Sequence, residues 1–204
     1  ESHSLLGLAG PQAATALGDT GLPCPAAAMT SAIGAGVSVL GLDANRYLVA
    51  LPQGAVAEFW RKLALKARPA GLPAWRWLDV QAGFPLVTAA TKEEFVPQMA
   101  DFEKLGGVSF HKGCYPGQEI VARTQYLGKV KRHLFRVRSD QLLEAGTDLH
   151  SPDNPDQACG MIVSGAPSPA GGYEALAVVQ SNHAGNLHLG SRDGPKIEAV
   201  AVNP

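Results

Sequence analysis

The stretch HKGCYPGQEIVAR, residues 111–123, limits what this chain can build more than any other. Gly113 and Gly117 bracket Cys114, Lys112 precedes the thiol, and Tyr115 and Pro116 follow it. Gly and Pro at this density predict a tight, irregular backbone, with Gly113, Pro116 and Gly117 as its shaping residues. The apolar run Ile120-Val121-Ala122 predicts the start of a regular element just after Gln118-Glu119. A thiol, an ammonium, a phenol, an amide and a carboxylate therefore share one constrained loop anchored at one end, a common way to build a site.

Composition sets outer bounds. A chain of 204 residues holds one or two domains with a sizeable core. No apolar run approaches the roughly 20 residues of a membrane span. The three cysteines, Cys24, Cys114 and Cys159, are far apart and lack any CxxC, which argues against a disulfide framework and a zinc knuckle. Reduced thiols and a cytoplasmic location are the expectation, with no permanent metal. Net charge is −1, but residues 111–138 hold seven cations and one acid, Glu119, a local +6 against −7 elsewhere. Positive charge concentrated beside the thiol points to an anionic ligand or partner; a solvated strand face with its counter-charges elsewhere accounts for it equally.

Along the chain, 5–10 is a short apolar run, and Pro11 predicts a helix over 12–17. Residues 18–28 read as a Gly- and Pro-rich loop holding Cys24, taken as structural. Runs 37–42 and 46–51 around Asp43-Ala44-Asn45 predict a hairpin. Val56, Phe59, Trp60, Leu63 and Ala67 predict a helix over 54–68, with Trp60 in the core. After breakers at 69–73, residues 75–81 read as a strand. Thr91 followed by Glu94 has capping-box spacing, and Pro97 predicts a break or short kinked helix. Residues 130–138 read as a strand. Short strands at 160–164, 174–180, 186–189 and 196–202, parted by Gly and Pro turns, predict a small β-barrel.

The string KGCYPGQE at 112–119, preceded by LGGVSF, resembles the signature of the YgfZ family, folate-binding relatives of the glycine-cleavage T-protein that act in iron–sulfur cluster assembly or repair. The similarity runs from about Leu5 to Val202 and is dense over 79–132. It implies an α+β, T-protein-like fold: a ferredoxin-like α+β portion at 1–72, the rest of a folate-cavity domain with the signature loop at 73–140, and a C-terminal β-barrel at 141–204. Family members carry a further segment ahead of the part matching Leu5, and this chain opens Glu1-Ser2-His3, so the resemblance implies an N-terminally incomplete chain. In the T-protein fold that segment helps to wall the folate cavity. Family members often have Asn-Phe-Glu where this chain has Asp101-Phe102-Glu103. The segment from Asp79 to Gly83 resembles the place where a T-protein Glu before Ala-Gly grips the pterin, and that position is Gln81 here. A carboxylate accepts two hydrogen bonds, whereas an amide accepts one and donates one, so the substitution argues against the same grip, and Gln81 as simply a strand residue accounts for the position equally.

The resemblance makes Cys114 the working thiol, with Lys112 beside it, and makes tetrahydrofolate the ligand. Near cations a thiol gains thiolate character and suits a nucleophile, redox sensor or soft-metal ligand. Free Cys is also among the most buried residue types. Tyr115 could stack on a pterin or a base, or pack under the loop. Gln118 and Glu119 could hold ligand or cap the element at Ile120. Arg123 could pair with Glu119 at i,i+4 or face an anion. Three functions compete: a folate-binding accessory factor serving iron–sulfur proteins or their assembly factors; a tetrahydrofolate-dependent aminomethyltransferase, against which the signature loop and Gln81 argue; and a tRNA-associated protein, suggested by the basic segment. The first is the reading adopted.

Overall fold

Two antiparallel β structures carry the chain, each built from runs that alternate or bury both faces. The structure is a computed structural model describing residues 2–202. It divides into two units, Glu1–Ala70 and Gly71–Pro204.

The first unit is a four-stranded sheet of β1 (His3–Ala9), β2 (Thr30–Gly34), β3 (Val37–Asp43) and β4 (Arg46–Pro52). Its order is β1-β4-β3-β2, with every neighbouring pair antiparallel. Alternation puts Leu8, Val37, Val39, Tyr47, Val49 and Leu51 on one buried face. Helices α1 (Ala13–Gly18) and α2 (Val56–Ala64) cover it with Ala13, Ala16, Leu17, Phe59 and Leu63. The hairpin expected around 43–45 forms. Asp43 accepts the Asn45 N–H at 2.8 Å and the Arg46 guanidinium at 2.6 Å, an Asx turn with its own counter-ion. Trp60 departs from expectation: it is 40% exposed, one position round the helix from the buried Phe59.

The second unit is a closed barrel with helices laid on it. Strands β5 (Arg132–Ser139), β6 (Asp148–His150), β7 (Gly160–Pro167), β8 (Tyr173–Gln180), β9 (Leu187–Leu189) and β10 (Lys196–Ala201) close in the order β10-β5-β8-β7-β6-β9. Barrel residues thus begin at Arg132, ahead of the boundary at 141, because β5 pairs with both β8 and β10. Residues 175–179 are all buried. Ala175, Ala177 and Val179 join the barrel interior, while Leu176 and Val178 join a second cluster outside it. A strand covered on both faces reads as a continuous apolar run rather than an alternation.

That outer cluster explains the main correction to the sequence reading. Residues 75–81 are not a strand but most of helix α3 (Leu72–Gln81), with Pro73 in its first turn. The proline read as a breaker is compatible with a helix start, where its missing N–H costs nothing. Trp77, Val80 and Gln81, at i, i+3 and i+4, form the face turned to the barrel; Val80 packs with Leu134, Val163 and Leu176. The capping box is also absent: the Thr91 hydroxyl accepts the Thr88 N–H at 3.0 Å, and residues 91–96 turn without forming a helix. A single 3-10 turn, Pro97–Ala100, follows and places Ala100 in the outer cluster. Helix α4 (Gln118–Tyr126) is the regular element expected after the signature loop.

Candidate functional site

The signature loop is held at its C-terminal end by its own side chains. Gly117 sits at φ +84° as the N-cap of α4, a left-handed conformation that glycine adopts without steric cost. The Gln118 side-chain Oε1 accepts the Tyr115 N–H at 3.2 Å, and the Gln118 backbone N–H donates to the Tyr115 carbonyl at 3.2 Å. This exchange closes the loop ahead of α4, and no side chain caps the first turn of the helix itself. Lys112 lays its ammonium over the Tyr115 ring, 4.2 Å from the centroid, a cation–π contact that fixes both side chains. Tyr115 is half-buried beneath it. Cys114, Gly113, Pro116 and Glu119 are exposed. Glu119 and Arg123 lie one turn apart on α4, and no ion pair joins them.

Helix α4 is anchored by a residue that sequence reading passed over. Gln98, 2% exposed, donates its Nε2 hydrogen to the Val121 carbonyl at 2.7 Å. Phe110, ahead of the loop, meets the ring of Tyr126 at the far end of α4 edge-on, 6.3 Å between centroids. A lone Gln before Met99 carries no sequence signal for this, because its partner is a backbone carbonyl more than twenty residues on.

Arg123 belongs to a second feature. With Thr124, Lys129, Lys131, Arg132 and Gln180 it lines an open cleft of about 610 Å³. Among its ten lining residues four are cations and none is an acid, so the basic surplus of 111–138 is gathered here in part.

Gln81 and Asp79 sit on α3. Asp79 is half-buried. Gln81 is bound at both ends of its amide: the Arg136 guanidinium donates to its oxygen at 3.0 Å, and its Nε2 donates to the Glu174 carboxylate. Ser168 donates to the other Glu174 oxygen at 2.7 Å. Burial pushes the Glu174 carboxyl up, but the Ser168 and Gln81 hydrogen bonds, the nearby Trp77 indole N–H and the Arg136 charge together hold it below its ordinary value. Trp77 contributes through proximity only, since its buried Nε1 makes no full hydrogen bond. The partners Arg136, Ser168 and Glu174 were not legible in advance. Among the described residues no three His, Cys, Asp or Glu side chains are grouped to hold a metal ion, and no helix is long and apolar enough to cross a membrane.

An α+β chain ending in a closed six-stranded barrel has the architecture of the aminomethyltransferase T-protein fold. The crystal structure of glycine cleavage system aminomethyltransferase T from Bartonella henselae superposes on 97% of this chain and 57% of that one, with a TM-score of 0.68 at 23% identity. Within that fold the chain's curated relatives are YgfZ proteins. The chain is 38% identical over 149 residues to the tRNA-modifying protein YgfZ of Yersinia pestis (strain Pestoides F), covering 71% of this chain and 45% of the relative. It is 35% identical over 153 residues to the tRNA-modifying protein YgfZ of Shigella sonnei (strain Ss046), covering 73% and 47%. The aligned part thus spans less than half the length of these curated relatives. No protein-family model matches the chain.

Proposed function

We propose that this chain is part of a folate-binding accessory factor that serves iron–sulfur proteins or their assembly factors, tRNA-modifying ones included, with Cys114 as its working thiol. The observation that carries the reading is the exposed Cys114 on a loop whose flanks are fixed, by Lys112 on Tyr115 and by Tyr115 and Gln118 at the start of α4. A reactive group in solvent on a preorganised backbone can meet a large partner without rearrangement of the fold. The name borne by the Yersinia and Shigella relatives brings tRNA modification into the proposal.

Folate fits this chain unevenly. Lys112 and the cations that follow suit its carboxylate tail, and Tyr115 offers a ring beside them, whereas the Gln118 amide oxygen is taken by the Tyr115 N–H. Gln81 does not fit as a pterin grip, because Arg136 and Glu174 already use its oxygen and nitrogen. No step is therefore assigned to a bound folate.

The test is complementation. In a strain lacking YgfZ, a gene carrying this chain should restore iron–sulfur enzyme activity, and its Cys114→Ala variant, folded by circular dichroism, should not. Full restoration by the variant would reduce Cys114 to a packing residue. Calorimetric titration with mono- and polyglutamyl tetrahydrofolate tests the ligand independently, and heats at the level of dilution would remove folate from the proposal.

A further inference from the structure

The cationic cleft is left unused by the Cys114 reading. Its cations are Arg123, near the end of α4, Lys129 and Lys131 on the connecting segment, and Arg132 at the start of β5. Among the described residues none of the four is in an ion pair. Four like charges gathered around one depression repel one another, and a bound polyanion relieves that repulsion. The connecting segment is held in place: the Lys131 carbonyl accepts the Ser181 N–H at 3.1 Å, and the His133 ring meets the Val130 carbonyl at 3.1 Å. Leu127 lines the cleft and is 85% exposed, and its chain neighbour Tyr126, the last residue of α4, is 70% exposed. The Tyr126 ring is braced edge-on by Phe110.

We propose that this cleft is a track for the phosphodiester backbone of single-stranded RNA, with Tyr126 as a platform for a base. The assignment deepens the tRNA-modification part of the proposed function and rests on it. Arginine forks and lysine ammoniums match phosphate oxygens, and an open cleft lets a polymer run through where a closed pocket would hold a single anion. A positively charged groove next to an exposed aromatic ring is the arrangement by which proteins hold unpaired nucleotides. A glutamate tail would satisfy the cations but give Tyr126 nothing to stack on.

The experiment is fluorescence anisotropy on the full chain with a labelled RNA of about a dozen unpaired nucleotides. Four phosphate contacts should give a slope of log K against log salt of about −3. Lys129→Glu with Lys131→Glu should weaken binding about tenfold or more and flatten the slope by about 1.4. Arg61→Glu with Arg68→Glu, exposed on the other unit, changes net charge equally and should leave affinity within about twofold. Tyr126→Ala should weaken binding without changing the slope. Four results would each overturn the proposal: no binding at low salt, equal loss in the charge-matched control, no effect of Tyr126→Ala, or displacement by a glutamate oligopeptide as effective as by unlabelled RNA of equal charge. The last would hand the cleft to a carboxylate tail. Absence of RNA binding while Cys114→Ala still abolishes rescue would remove the cleft proposal and leave the thiol reading standing.

Discussion

Cys24, Cys114 and Cys159 carry one functional group in three settings. Cys114 and Cys24 are exposed, whereas Cys159 is fully buried in the barrel, where burial pushes its thiol up and its S–H donates to the Leu149 carbonyl at 3.3 Å. Cys24 also touches the buried Tyr47 phenol, which burial and then the neighbouring thiol push up. Alkylation of the native protein by iodoacetamide, read by peptide mass spectrometry, should therefore modify Cys114 and Cys24 and spare Cys159. Labelling of Cys159 at a comparable rate would mean that the barrel opens in solution. Sequence singled out Cys114 through its neighbours but held no information on the burial of Cys159. Asp101 is a related case. The resemblance expects Asn there, and Asp101 has φ +57° with its carboxylate 3.3 Å from Lys104. Asn and Asp are the non-glycine residues that most readily adopt this backbone.

Helix α3 decides the geometry of the outer cluster, and Gly83 decides how α3 ends. Gly83 has φ +67°, and a Cβ there would run into the side chain of Val202. Gly83→Ala should destabilise the second unit by roughly 1–3 kcal/mol, from backbone strain together with the clash. A urea midpoint unchanged from wild type would show that the turn relaxes freely. The Ala-Gly pair was legible as a resemblance, but the element before it was read as a strand. Trp75, Trp77 and Asp79 alternate by twos, yet the segment is helical, with Val80 in the outer cluster and Gln81 bonded to Glu174 and Arg136. Short mixed runs fit both periods, and a tertiary neighbour chooses between them. The strands of the barrel were easier to read, since each lies between turn signals and buries a β-branched or apolar run.

Across the whole molecule, acid stability should depend on Glu174. Its folded carboxyl is held below the ordinary value of 4.5. A depressed carboxylate contributes stability that is fully present above that value and is lost as pH falls through the lower, folded one. Glu174→Gln should flatten the fall in stability below about pH 4.5 while leaving the Ser168 contact available, as read by denaturant midpoints across that range. An unchanged pH profile would mean that the Gln81, Ser168 and Arg136 contacts do not persist in solution. By itself the sequence determined the hairpin at 43–45, a regular element after Gly117, the late run of barrel strands and the signature loop. Each follows from local chemistry: turn residues, glycine with positive φ, and apolar runs bounded by breakers. Only the tertiary structure decided that 75–81 is helical, that Gln81 is spent on Arg136 and Glu174, that Gln98 anchors α4, and that Arg123 shares a cleft with Lys129, Lys131 and Arg132. Those outcomes depend on groups far apart along the chain, which only the closed barrel brings within hydrogen-bonding or electrostatic reach.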